Sequence, residues 1–154
     1  MNKVYKKRWN NTLFGLNYFD DFEDVEEEDR FELASSIVRE LGEQNVFDEW
    51  FNYLKESIHN QNEAWSFMLW FFNYNGAHFK VKNPYPFLAL LFSKLELSLD
   101  KDKGDDDYDN ILQTFDSIYV ELLIGAGIIK VEDYCYVNLF ADSKFKEELD
   151  AIKQ

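Results

Sequence analysis

The sequence predicts a mainly α-helical fold of the α+β type, a compact helical bundle around one central buried helix with a C-terminal β-hairpin and a closing helix. Three observations support this prediction. Residues 62–73, NEAWSFMLWFFN, are apolar nearly all round, as expected of a helix covered on several sides. Segments before and after them repeat apolar residues at helical spacing. Residues 128–131 and 134–139 are instead rich in β-branched and aromatic residues, which is typical of strands.

The N-terminal quarter combines a basic arm, an acidic run and one predicted helix. The arm, residues 1–19, carries Lys3, Lys6, Lys7 and Arg8 among many aromatic residues, and we expect it to pack onto the body. Residues 20–29 then hold almost nothing but acids, which are favoured at the approach to a helix because they interact with its dipole. The following amphipathic helix has apolar positions Phe31, Ala34, Val38 and Leu41 and stops at Gly42.

Two further helices surround the middle of the chain. Asn45 is the predicted cap of a helix whose apolar positions run from Phe47 to Ile58. Asn62 is the predicted cap of the central helix, which ends near Asn75-Gly76. Because the links are short, we expect these helices to be antiparallel neighbours.

The C-terminal half is predicted to hold three helices and the hairpin. Pro84 and Pro86 precede a largely buried helix over residues 87–99. The next helix begins at a second acidic run, has apolar positions from Tyr108 to Leu123, and stops at residues 125–127. The hairpin is predicted with its turn at residues 132–133, and the last helix, residues 144–152, with a cap at Asp142 or Ser143. With no internal repeat and no linker, residues 1–154 are predicted to form one globular domain.

The order of helix, glycine-rich turn, hairpin and closing helix in the last third resembles the wing portion of a winged-helix domain. That resemblance implies DNA binding, which uses Lys and Arg against phosphates. Between Asp105 and Ile152 the basic residues are only Lys130, Lys144 and Lys146. The charge of this region therefore opposes DNA binding even if the topology is that of a wing.

Charge is the strongest functional signal in the sequence. The chain has 30 acidic against 16 basic residues and a formal net charge of −14. Such a molecule repels nucleic-acid phosphate and anionic lipid and attracts cationic surfaces. We therefore expect a basic protein partner, with no direct nucleic-acid or membrane binding. A single cysteine and the lack of an apolar export segment predict a cytoplasmic protein.

No motif predicts catalysis, a cofactor or a metal. In the acidic run that begins at Asp100, Gly104 stands at position five and Ile111 at position twelve, whereas an EF-hand loop needs glycine at six and glutamate at twelve. His59, His78 and Cys135 have no paired ligand spacing and no neighbouring base. We accordingly predict a protein that is not an enzyme.

The predicted partner-binding surface consists of the two acidic runs with one aromatic residue inside each. The acids would speed association with a basic protein, and the aromatics would slow its dissociation. The predicted contact residues are Asp20, Asp21, Phe22, Glu23, Asp24, Glu26, Glu27, Glu28 and Asp29 in the first run, and Asp105, Asp106, Asp107, Tyr108 and Asp109 in the second.

A small, acidic, aromatic-rich chain without catalytic motifs resembles bacterial immunity proteins. This resemblance implies an antitoxin that neutralises a basic, nuclease-type toxin by covering its active or nucleic-acid-binding site. Two alternatives stay open. One is a phage-type inhibitor that mimics nucleic acid, and the other is an acidic adaptor or structural protein whose charge serves solubility alone.

Overall fold

The computed structural model describes residues 42–75, 80–99, 105–136 and 138–153. Within these ranges the regular structure is helical throughout, and no strand occurs. The basic arm, the first acidic run and the helix predicted after it lie outside the described residues. The five α-helices are α1 Glu43–Ser57, α2 Gln61–Asn75, α3 Tyr85–Lys94, α4 Asp106–Gly125 and α5 Ser143–Lys153, with two short 3₁₀ turns, Val131–Tyr136 and Leu139–Ala141, between α4 and α5.

The predicted central helix exists as α2, and it shares the centre with α3. Helix α3 packs against α1, α2 and α5, while α2 packs against α1, α3 and α4. Both are buried on several sides because their sequences carry few polar residues. The buried side chains of all five helices belong to one hydrophobic cluster.

Aromatic rings fill this core in two groups. In the first, the Trp50 ring lies 5.4 Å from both Phe67 and Phe71 in edge-to-face geometry, which joins α1 to α2. In the second, the Phe92 ring lies 5.3 Å from Phe115 and 5.3 Å from Phe145, which joins α3 to α4 and α5. The Phe87 ring on α3 lies 5.1 Å from Phe71, so α3 contributes to both groups and connects the two halves of the bundle.

The capping residues of α1 and α2 differ from those predicted. Helix α1 begins after Gly42, and no side chain caps it, so Asn45 is an internal helix residue. Helix α2 is capped by Asn60 instead of Asn62, since the Asn60 side chain accepts a hydrogen bond from the Glu63 backbone N–H at 2.9 Å. The Glu63 carboxylate reaches back to the His59 backbone N–H at 2.8 Å. This reciprocal arrangement is close to a capping box.

The end of α1 is closed by a lysine from another helix. The Lys94 ammonium group on α3 donates hydrogen bonds to the carbonyl oxygens of Leu54, Lys55 and Ile58. These carbonyls would otherwise lack partners because they stand in the last turn. Burial lowers the pKa of Lys94, while nearby Glu63 opposes that shift. Lys94 thus joins α1 to α3 at the edge of the core.

The prediction of a C-terminal β-hairpin is wrong. The winged-helix topology requires that hairpin, so it is wrong as well. Residues 131–136 form a 3₁₀ turn that begins with a hydrogen bond from the Asp133 N–H to the Lys130 carbonyl at 3.0 Å. An inward-facing strand would bury Ile129 and Val131 together, but Ile129 packs on the core while Val131 is 57% exposed. Strand propensity describes residues that suit a pleated, half-buried surface, and the described part of the chain offers these residues no neighbouring strand.

The turn after α3 places a non-glycine residue in the left-handed region, where Glu96 has a φ of 60°. We expect Glu96→Gly to raise the free energy of unfolding by about 0.5–1 kcal/mol, because glycine has no Cβ to strain there. The same change at exposed Glu49, inside α1, should lower it by about 1 kcal/mol. Urea unfolding of both variants checks the prediction. Destabilisation by Glu96→Gly would contradict it.

Candidate functional site

Residues 105–109 of the second acidic run form the cap and first turn of α4, while residues 100–104 lie outside the described residues. The Asp105 carboxylate accepts a hydrogen bond from the Tyr108 backbone N–H at 2.8 Å and so caps the helix. Asp106, Asp107 and Asp109 follow in the first turn, and all are exposed. Acids in this position are stabilised by the helix dipole, so their placement has a local cause. Their exposed carboxylates are nevertheless presented together at one end of the bundle.

Tyr108 does not take the exposed position expected of a contact residue. Its side chain is 7% exposed, and its hydroxyl lies 3.2 Å from the Ser98 backbone N and 3.3 Å from the Ser98 carbonyl oxygen. The ring therefore fastens the start of α4 to the segment that follows α3. Tyr108 stands seven residues before buried Phe115 and shares its face of α4, so we leave Tyr108 out of the proposed contact surface.

Of the elements in the described part of the chain, helix α4 with its cap has the largest excess of charges of one sign. Residues 105–125 contain six acids and no Lys, Arg or His. Asp116 is half-buried, and this burial raises the pKa of its carboxyl group. Sequence reasoning did not single out Asp116, because one acid on the rim of an apolar helix face is an ordinary feature.

Two grooves flank α4, and acids line both. The first, about 320 Å³, lies between α4 and the second 3₁₀ turn. The second, about 280 Å³, lies between the starts of α2 and α4. The first groove is lined by Asp109, Leu112, Gln113, Asp116, Asn138, Leu139 and Phe140. The second groove is lined by Gln61, Asn62, Trp65, Asp107, Asn110 and Ile111.

Asp142 is the centre of a separate polar cluster that joins α3, α4 and α5. Its Oδ2 accepts hydrogen bonds from the hydroxyls of Tyr85 on α3 at 2.9 Å and Tyr119 on α4 at 2.5 Å. Its Oδ1 accepts the backbone N–H groups of Lys144 at 3.1 Å and Phe145 at 3.3 Å, which caps α5. Burial, together with the carboxylate, raises the pKa of both tyrosines. Both carboxylate oxygens are engaged in holding helices, so this cluster has a structural role.

Within residues 42–75, 80–99, 105–136 and 138–153 the structure offers no candidate metal site. No group of three or more His, Cys, Asp or Glu residues there could hold a metal ion. The side chain of Cys135 and all of His78 lie outside the described residues. The His59 backbone is part of the cap of α2 described above.

Comparison with known proteins found no relative that bears on the function of this surface. No protein-family model, no curated protein and no solved structure matches this chain. None of the described helices is both long enough and apolar enough to span a membrane.

Proposed function

We propose that this chain is a protein-binding inhibitor, of the immunity-protein or antitoxin type, that covers a basic site on a nuclease-type toxin. The observation that carries this proposal is the charge of α4. Six acids stand between residues 105 and 125 without a basic residue among them, and Asp106, Asp107 and Asp109 are exposed at the helix start. A site that binds nucleic-acid phosphate is lined by Lys and Arg, and this helix has the complementary charge.

The proposed mechanism is steered association followed by masking. The acids of α4 attract the basic site over a distance of about 8 Å at physiological ionic strength. Once docked, the carboxylates occupy the positions of substrate phosphates and keep the nucleic acid away. The chain needs no catalytic group for this role, because inhibition follows from occupancy of the partner's site.

The first experiment identifies the partner and measures what binding does to it. Immobilised chain captures its partner from a lysate of the source cells, and the captured protein is then purified. We expect a basic protein whose nucleic-acid binding or cleavage is lost on addition of one equivalent of the chain. We also expect the association rate to fall steeply as salt rises from about 50 to about 500 mM. The absence of a stoichiometric partner, or a salt-independent rate, contradicts the proposal.

Charge reversal at the start of α4 tests the surface itself. We expect Asp106→Lys with Asp107→Lys to slow association with the captured partner at least about tenfold, while the fold is retained. Asp105 is left unchanged because it caps the helix. The matched control is Glu49→Lys with Glu56→Lys on α1, which alters net charge equally at exposed positions. Stopped-flow association rates decide the outcome, and equal slowing in both variants would mean that net charge alone matters.

The first acidic run is tested in the same assay. The change Glu26→Lys, Glu27→Lys and Glu28→Lys reverses three of its charges. A slowing of association similar to that of the α4 variant assigns both runs to the interface. An unchanged association rate restricts the interface to α4, and unchanged rates in both variants exclude masking by acidic residues.

A further inference from the structure

We propose that the groove between α4 and the second 3₁₀ turn is a binding pocket for an arginine side chain of the basic partner. This inference deepens the proposed function and rests on it, since it names the residue type that the acidic surface receives. The groove places the polar side chains of α4 next to the apolar Leu112, Leu139 and Phe140, which is the arrangement that an amphipathic cation requires.

The polar side of the groove is a row on α4. Asp109, Gln113 and Asp116 follow each other at spacings of four and three residues, so they lie along one side of the helix. Neither carboxylate forms an ion pair or hydrogen bond with another side chain in the parts of the chain that the structure describes. The two acids are about 10 Å apart along the helix axis, given a rise of about 1.5 Å per residue. One guanidinium therefore pairs with one carboxylate, and the second carboxylate is left for a neighbouring basic residue of the partner.

Asp116 is the carboxylate that the guanidinium meets. It is half-buried, and desolvation raises the pKa of its carboxyl group, so the charged form is held at a cost in the free chain. A cation placed beside it removes that cost. Asp109 is exposed nearer the start of the helix and stands where it adds attraction for a second basic residue.

The apolar side of the groove accounts for the choice of arginine. Leu112, on α4 itself, and Leu139 line the groove, and so does Phe140, which is 47% exposed. A single exposed apolar side chain is ordinary on a protein surface, but Phe140 lines the same groove as two carboxylates and so offers an aromatic face beside an anion. Arginine fits both features, because its planar guanidinium stacks on an aromatic face while it donates paired hydrogen bonds to a carboxylate. The volume, about 320 Å³, is at the lower end for ligand pockets, roughly 300 Å³.

The test uses small peptides and the whole chain, so it does not depend on finding the partner. The probes are acetyl-Gly-Arg-Gly-amide, its Lys analogue and its Gln analogue, titrated into ¹⁵N-labelled chain while backbone amide shifts are followed. We expect the Arg peptide to shift amides of residues 109–116 and 138–140. We expect the Lys peptide to bind several-fold more weakly and the Gln peptide to cause no saturable shift.

Three variants locate the binding. Asp116→Asn and Phe140→Ala should each weaken the Arg peptide by at least about fivefold, whereas Glu49→Gln, on the exposed side of α1, should leave it unchanged. Circular dichroism confirms that each variant is folded. Equal binding of the Arg and Gln peptides, or full affinity in Asp116→Asn, overturns the pocket.

The two proposals fail in different ways. If partner association depends on Asp106 and Asp107 but the groove variants bind the Arg peptide normally, the masking function stands and the pocket is wrong. If the Arg peptide binds as expected and no basic partner exists, the pocket stands and the inhibitor function is wrong.

Discussion

Asp142→Ala is expected to lower the free energy of unfolding by about 3–5 kcal/mol. The change removes a helix cap, worth about 0.5–2 kcal/mol, and two hydrogen bonds to a charged acceptor, worth about 1.5–3 kcal/mol each, although these terms overlap. It also leaves the Tyr85 and Tyr119 hydroxyls without their acceptor inside the protein. For a chain of this length the melting temperature should fall by about 10 °C, measured by calorimetry.

Two matched variants separate the contributions. Asp142→Asn retains a side-chain acceptor for the cap and removes the charge, so its loss should be smaller than that of the alanine variant. Glu147→Ala, at an exposed position in α5, should lie within about 0.5 kcal/mol of the unchanged protein. A loss below about 1 kcal/mol for Asp142→Ala would show that the cluster does not hold the helices together.

The same cluster gives the protein a characteristic response to alkaline pH. Burial and the Asp142 carboxylate raise the pKa of Tyr85 and Tyr119 above the ordinary value of 10.0. The unfolded chain therefore releases these protons near pH 10, while the folded chain keeps them. The stability that they contribute is complete below pH 10 and is lost as pH rises, by up to about 1.4 kcal/mol per pH unit for each tyrosine. Tyr85→Phe with Tyr119→Phe should flatten this decline, which urea unfolding between about pH 9 and 11 measures.

The local pattern of the sequence predicted most of the described helices, although the helix predicted over residues 87–99 begins at Tyr85 and ends at Lys94. The spacing of apolar residues from Tyr108 to Leu123 corresponds to α4, and the buried positions Phe115, Ile118 and Leu122 are among those predicted. The central helix and the last helix also occupy their predicted places. These helices could be predicted because a helix that buries one face carries the period of 3.6 residues in its own sequence.

The errors arose where distant residues decide the structure. The hairpin was inferred from composition, yet Ile128 and Val131 have no strand to pair with in the described residues and stay exposed at 46% and 57%. Asp142 was one of two predicted caps for the last helix and does cap it. Its bonds to Tyr85 and Tyr119, which are 57 and 23 residues away, could not be read from a local pattern.

The candidate site was predicted only in part for the same reason. The run of acids at the start of α4 is visible in the sequence, and Asp106, Asp107 and Asp109 are exposed as a partner contact requires. The groove depends on the second 3₁₀ turn, which brings Phe140 back to α4, and the periodicity of the sequence does not predict this contact. Acidic composition therefore indicated the charge of the surface, while its shape came from the tertiary fold.

Phe92→Ala should produce the other large loss of stability, about 3–5 kcal/mol, because it opens a cavity where α3, α4 and α5 meet. The Phe92 ring is 1% exposed and lies 5.3 Å from both Phe115 and Phe145. The matched control is Phe140→Ala, the same change at a ring that is 47% exposed, which should alter stability by less than about 1 kcal/mol.

The two variants should therefore show opposite behaviour. Phe92→Ala melts about 10 °C lower but, below its melting temperature, still binds the Arg peptide, whereas Phe140→Ala melts nearly normally and loses the peptide. A stable Phe92→Ala variant would contradict the junction of the three helices, and a destabilised Phe140→Ala variant would place that ring in the core instead of the pocket.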